Sequence, residues 1–139
     1  MLGILIVTHS NFGKELLRSA ELIVGRQENI ETLGLEHGDS VEELYKKVKD
    51  SLKKLDRGEG VLILTDLFGG SPSNVTAAAM KENNIKVESI SGVNLPMLIE
   101  ALDLRNTTDL ECIIDKIIQT GIFGIKNIKL ELKEKSNSA

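Results

Sequence analysis

Aromatic residues are the scarcest class in this chain: no Trp, one Tyr and three Phe among 139 residues. A core must then be built from Ile, Leu and Val, and a surface that stacks nucleic-acid bases or a flavin is disfavoured for want of rings. There is no basic surplus either. Seventeen Lys and Arg face 21 Asp and Glu, a formal net charge of -4, which argues against a nucleic-acid partner because phosphate neutralisation needs cations. One Cys cannot close an internal disulfide, so a reducing, cytoplasmic setting is expected. Cys112 sits among Leu110, Ile113 and Ile114, which leads one to expect an inert, buried thiol. No apolar run approaches membrane-spanning length. Residues 1–10 are apolar but lack the basic leader and small-residue cleavage site of a signal peptide. Any tie to a membrane is expected to be peripheral and made through partners. No GxxxxGK[ST] or GxGxxG segment and no metal-ligand spacing occurs, so neither nucleotide, metal nor other cofactor is expected.

What is present is a regular alternation of strand and helix signals. Residues 2–7 and 61–64 are wholly aliphatic, as strands buried on both faces of a parallel sheet are. Residues 30–35 and 86–90 mix apolar with polar positions and read as flanking strands. Helical stripes lie between them. Phe12, Leu16, Ala20, Ile23 and Val24 are followed by the stop signal Gly25, and Val41 to Leu55 is preceded by the capping pair Ser40 and Glu43. Ser71-Pro72 opens a third helix, with Pro expected at its first position, Asn94 caps a fourth, and Thr108 with Glu111 boxes the start of a fifth. Ile128, Leu130 and Leu132 alternate with charged residues, which predicts a C-terminal antiparallel edge strand. The expectation is one domain over residues 1–132 with a disordered tail over 133–139. Its fold class is α/β, a doubly wound, mostly parallel sheet. Placing the two aliphatic strands centrally gives the order 2-1-3-4.

That order locates the chemistry. The winding reverses between the first and third strands, and ligands bind doubly wound sheets beyond the carboxyl ends of such a pair. The residues there are Thr8, His9 and Ser10 after one strand and residues 65–73 after the other. A His at a strand end is more often a turn residue. At the switch point it becomes a candidate nucleophile, because imidazole is nucleophilic and titrates near neutrality. Asp66 should face it and, by accepting the Nδ1–H, would leave Nε2 free to attack. Gly69, Gly70 and Ser71 lead into a helix N-terminus, where free N–H groups and the macrodipole favour an anion. His37, in Glu36-His37-Gly38-Asp39, reads as a solvated loop residue.

With Thr8-His9, Asp66-Leu67-Phe68-Gly69-Gly70-Ser71-Pro72 and Ser91-Gly92-Val93-Asn94-Leu95-Pro96-Met97 in place, the chain resembles the mannose-family IIA components of sugar phosphotransferase systems over about residues 1–125. The resemblance implies a phosphotransferase with a phosphohistidine at His9 and Asp66 beside it. The candidate phosphoryl-binding residues are those at the same switch point, Thr8, Gly69, Gly70 and Ser71. The resemblance also implies HPr as phosphoryl donor, a IIB protein as acceptor, membrane IIC and IID components further on, and a homodimer. Ser10 stands where the family often has Gly, and Leu67 where it often has a hydroxyl residue, which leaves Ser71 to supply the hydroxyl contact to a phosphoryl group. The chain ends without a IIB domain and so reads as a stand-alone IIA. Two other readings compete: the phosphotransfer subunit of a dihydroxyacetone kinase, and a non-catalytic receiver-like regulator.

Overall fold

The computed structural model describes residues 1–82 and 84–137. The elements run β1 (Gly3–His9), α1 (Phe12–Val24), β2 (Ile30–Leu35), α2 (Val41–Leu55), β3 (Val61–Thr65), α3 (Ser71–Lys81), β4 (Val87–Ser91), α4 (Leu95–Leu104), α5 (Leu110–Phe123) and α6 (Ile128–Asn137). The four strands form one sheet in the order β2-β1-β3-β4, every pair parallel. The aliphatic strands are central as expected. Side chains alternate across a strand, so β1 and β3 feed both faces of the sheet. Ile4, Ile6, Leu62 and Leu64 join Leu98, Ala101, Ile113 and Ile117 on one face. Leu5, Val7, Val61 and Ile63 join Leu44, Val48, Leu52 and Val75 on the other.

Local signals explain most element ends. The Ser40 hydroxyl accepts from the Glu43 N–H at 3.3 Å, and the Asn94 side chain accepts from the Met97 N–H at 3.0 Å. The Nδ2 group of the same Asn94 side chain donates to Gly121 O at 2.9 Å, tying the start of α4 to the end of α5. The Asn-Leu-Pro-Met segment is therefore a brace between helices. Pro72 is the second residue of α3, because Gly70 takes the N-cap position.

Several expectations are corrected. Residues 128–132 are helical within α6, so the antiparallel edge strand is absent among the described residues. The helix also runs through residues 133–137 of the expected tail, while 138–139 lie outside the described residues. Alternating Lys and Glu at 129, 131, 133 and 134 are good helix formers, and in a strand each would need a partner edge. Cys112 is exposed: Leu110, Ile113 and Ile117 define the buried face of α5, and at about 100° per residue position 112 falls outside it. Asp109 rather than Thr108 takes the N-cap position of that helix, with no side-chain cap, and Glu111 pairs with Lys86 at 2.6 Å instead of reaching back. In α1 the buried residues are Gly13 and Ala20, with Leu16 and Leu17 packed alongside. Phe12, Ile23 and Val24 are exposed. The helix is rotated so that Gly13 meets β1, where a Cβ would lie 2.8 Å from Ile6 Cγ2.

The end of the sheet away from His9 is closed by Arg105, which is 1% exposed. Its guanidinium donates to Leu2 O at 3.4 Å, Asn29 O at 3.1 Å, Gln27 Oε1 at 3.1 Å and Glu28 O. Burial pushes its pKa below the usual guanidinium range. Among the described residues no helix is long and apolar enough to cross a membrane.

Candidate functional site

His9 is the last residue of β1 and pairs in register with Leu35 of β2. β3 stops two residues short of that level, since Val7 pairs with Thr65, and the chain turns there at Asp66. The offset sets the carboxylate against His9. One oxygen, Asp66 Oδ2, accepts both the His9 backbone N–H at 3.1 Å and a hydrogen bond from the His9 ring at Nδ1, 2.9 Å away. An ionised carboxylate only accepts, so Nδ1 carries the proton and the Nε2 lone pair is left outward. The imidazole is 48% exposed and the Asp66 side chain 15%: the carboxylate is sheltered and the nucleophile is open. Asp66 Oδ1 is buried without a hydrogen-bond partner.

The Nε2 edge of the ring faces the α3 N-cap. A Cβ built on Gly70 would lie 2.9 Å from His9 Cε1 and 3.4 Å from Nε2, so the ring packs on bare backbone. Behind that backbone begins α3, whose first turn holds no acidic side chain. The first N–H groups of a helix have no acceptor within it, and the N-cap residue of this helix is the one packed against the ring. Gly69, with φ of 92°, makes the preceding turn in a backbone region that favours glycine. Ser71, the first residue of α3, is half-buried next to Gly70.

The structure thus brings together His9, Asp66 and Gly70, with Gly69 and Ser71 on either side of Gly70 in the chain. Thr8 stands apart from them: it is fully buried, and its hydroxyl oxygen accepts from the Gly13 N–H at 2.9 Å. It fastens the start of α1 to β1, so a phosphoryl contact through its hydroxyl is corrected to a structural one. His37 is exposed in the turn after β2. Leu67 and Phe68, 59% and 83% exposed, and Phe12 at 46% are apolar side chains on the segments that flank His9. The sequence reading passed over this apolar exposure, and over Gly34 and Glu36, which touch the turn after His9. The only signal for the last two was Ser10, where glycine is usual.

These features define a doubly wound α/β protein with an exposed histidine at its switch point, hydrogen-bonded through Nδ1 to a sheltered carboxylate. Comparison with known proteins narrows that class. The family described as "PTS system fructose IIA component" matches residues 3–118. The mannose-specific EIIAB component of Escherichia coli is 35% identical over 139 residues, which cover 99% of this chain and 43% of that protein. The fructose-specific EIIA component of Bacillus subtilis is 31% identical over 117 residues, 84% of this chain and 80% of that protein. The crystal structure of the phosphotransferase system component EIIA from Streptococcus agalactiae superposes with a TM-score of 0.87 at 33% identity, covering 94% of this chain and 99% of that one. The chain belongs to the fructose/mannose IIA family of the phosphotransferase system. It spans less than half the length of the Escherichia coli relative. The comparisons do not favour a dihydroxyacetone kinase subunit or a receiver-like regulator.

Proposed function

We propose that this chain is a phosphoryl carrier of a sugar phosphotransferase system, taking the group from phospho-HPr on His9 Nε2 and passing it to a IIB component. The observation that carries the reading is the Asp66 Oδ2···Nδ1 contact of 2.9 Å, with the opposite ring edge at the α3 N-cap. Nε2 attacks phosphorus, the donor nitrogen–phosphorus bond breaks, and the donor imidazole leaves with its electron pair. No proton need leave His9: the Nδ1–H stays, and the positive ring that results lies against the Asp66 carboxylate. The α3 N-terminus and Ser71 steady the transferring oxygens. Leu67 offers no hydroxyl, so Ser71 is the hydroxyl nearest in sequence to the ring-packing Gly70.

Membership of the family supports a setting for this role. The carrier works in the cytoplasm, and it meets membrane IIC and IID components only through IIB. It is a homodimer, and exposed Ile122, Phe123 and Ile125 on and after α5 supply apolar surface of the kind subunit interfaces cover. Sedimentation at micromolar concentration should show the dimer; monomer alone would refute it. The functional reading is tested by incubation with phosphoenolpyruvate, enzyme I and HPr, then intact mass. One phosphoryl group should be gained by the parent chain and none by His9→Ala. Labelling of His9→Ala would overturn the reading.

A further inference from the structure

The turn that follows His9 opens in an unfavourable backbone conformation. Ser10 has φ of 49°, and Asn29 at 51° is the other described non-glycine residue with positive φ. Asn tolerates the left-handed region through its short polar side chain, whereas for Ser the Cβ lies against the following carbonyl with little to offset it. Something must therefore hold Ser10 there.

Three contacts from β2 and the turn after it do so. The Ser10 N–H donates to Leu35 O at 2.9 Å. The Ser10 hydroxyl donates to Glu36 Oε1 at 2.9 Å. The Ser10 carbonyl occupies the space of a side chain on β2, since a Cβ on Gly34 would lie 2.0 Å from that oxygen. Glu36 is itself anchored: its N–H donates to Asp39 Oδ2 at 2.7 Å, and the Asp39 N–H donates back to Glu36 O at 3.0 Å. The carboxylate thus issues from a closed four-residue turn.

We propose that Glu36 is a positioning residue for His9. Its carboxylate holds Ser10 in the left-handed turn, and that turn keeps the imidazole between Asp66 and Gly70. This rests on the reading of His9 as the phosphoryl acceptor. Electrostatics alone gives the opposite sign. Glu36 carries the same charge as the incoming group, so removing it would speed transfer if charge were its whole effect. A positioning role requires that its removal slow transfer, and that the loss vanish when residue 10 no longer resists a positive φ.

The test places Glu36→Ala and Glu36→Gln in the parent chain and in the Ser10→Gly chain. The readouts are the rate of transfer from phospho-HPr and the His9 Nδ1–H resonance of the unphosphorylated protein. Glu36→Ala is expected to slow transfer about tenfold in the parent chain, less than the roughly hundredfold that a misplacement of about 1 Å can cost. In the Ser10→Gly chain the same substitution is expected to cost less than about twofold, because glycine adopts this φ unaided. Glu36→Gln keeps an acceptor oxygen and should rescue the rate to within about twofold of the parent, since the hydroxyl bond survives. The Nδ1–H signal should weaken in Glu36→Ala alone. An equal loss in both backgrounds, or none in either, would overturn the proposal. The resonance separates the two readings. A parent chain that takes no phosphoryl group would defeat the functional reading, and the Nδ1–H pattern would still decide for or against Glu36 as the group that positions the ring.

Discussion

Gly70→Ala offers a way to separate the chemistry of this protein from its stability. Gly70 has φ of -83° and ψ of 173°, extended backbone open to any residue, so no strain attends the change. The added Cβ would lie 2.9 Å from His9 Cε1, 3.4 Å from Nε2 and 3.8 Å from Pro72 Cδ. Ordinary carbon contact is about 3.5 Å, so the ring must retreat by roughly half an ångström. It is held by one side-chain hydrogen bond, to Asp66. Whether that bond stretches or the ring turns about it, Nε2 leaves its place at the helix N-terminus. A displacement of that size costs about ten- to a hundredfold in a reaction governed by alignment. The effects on folding nearly cancel. Ala at an N-cap is worse than Gly by about 1 kcal/mol, whereas loss of glycine's freedom in the unfolded chain returns about 0.4–1 kcal/mol. The melting temperature should stay within about 4 °C of the parent. The assay is rapid-quench transfer from phospho-HPr beside a thermal melt. A Gly70→Ala protein with parental transfer rate and parental melting temperature would refute the placement of the ring.

Other perturbations probe neighbouring parts of the account. Asp66→Asn should keep the fold, since the amide is nearly isosteric, yet slow transfer about a hundredfold by removing the charge beside the ring and allowing the proton to sit on Nε2; single-turnover kinetics would show it, and a parental rate would reduce Asp66 to a turn residue. Arg105→Met leaves Leu2 O and Glu28 O without the guanidinium donor and Asn29 O with the Ile4 N–H alone, and should cost about 2–4 kcal/mol in urea unfolding; a loss below about 0.5 kcal/mol would mean that those carbonyls find water. Transfer from phospho-HPr should be unchanged by a chelator, because the donor already carries an activated phosphoryl group and helix N–H groups meet its charge; a large loss of rate would point to an ion.

The architecture was legible where burial is two-sided. Residues 2–7 and 61–64 have no polar position, so only central strands fit them, and the order β2-β1-β3-β4 with its switch point follows. The pairing of His9 with Asp66 was legible for the same reason, since both stand where those strands end. The finer geometry was not. Gly13 carried no signal in the sequence and Gly70 read as part of an anion-binding helix entry, whereas their close approach to Ile6 and to the His9 ring depends on a distance that no spacing encodes. Thr8 looked available because it adjoins His9, but neighbouring strand residues face opposite ways, and it turns inward to Gly13. Period-two alternation at Ile128, Leu130 and Leu132 pointed to a strand, yet a strand needs an edge to pair with, and local propensity without one favours the helix of α6. Glu36 carries no local motif at all. Its place beside Ser10 comes from strand register.

If Asp66 fixes the proton on Nδ1, chemistry occurs at the other nitrogen of His9. NMR of the uniformly ¹⁵N-labelled protein, phosphorylated through enzyme I and HPr, reads this directly from nitrogen–phosphorus and nitrogen–proton couplings within the ring. Phosphorus is expected on Nε2 of His9, with the proton retained on Nδ1. Phosphorus on Nδ1, or on any other residue, would contradict it.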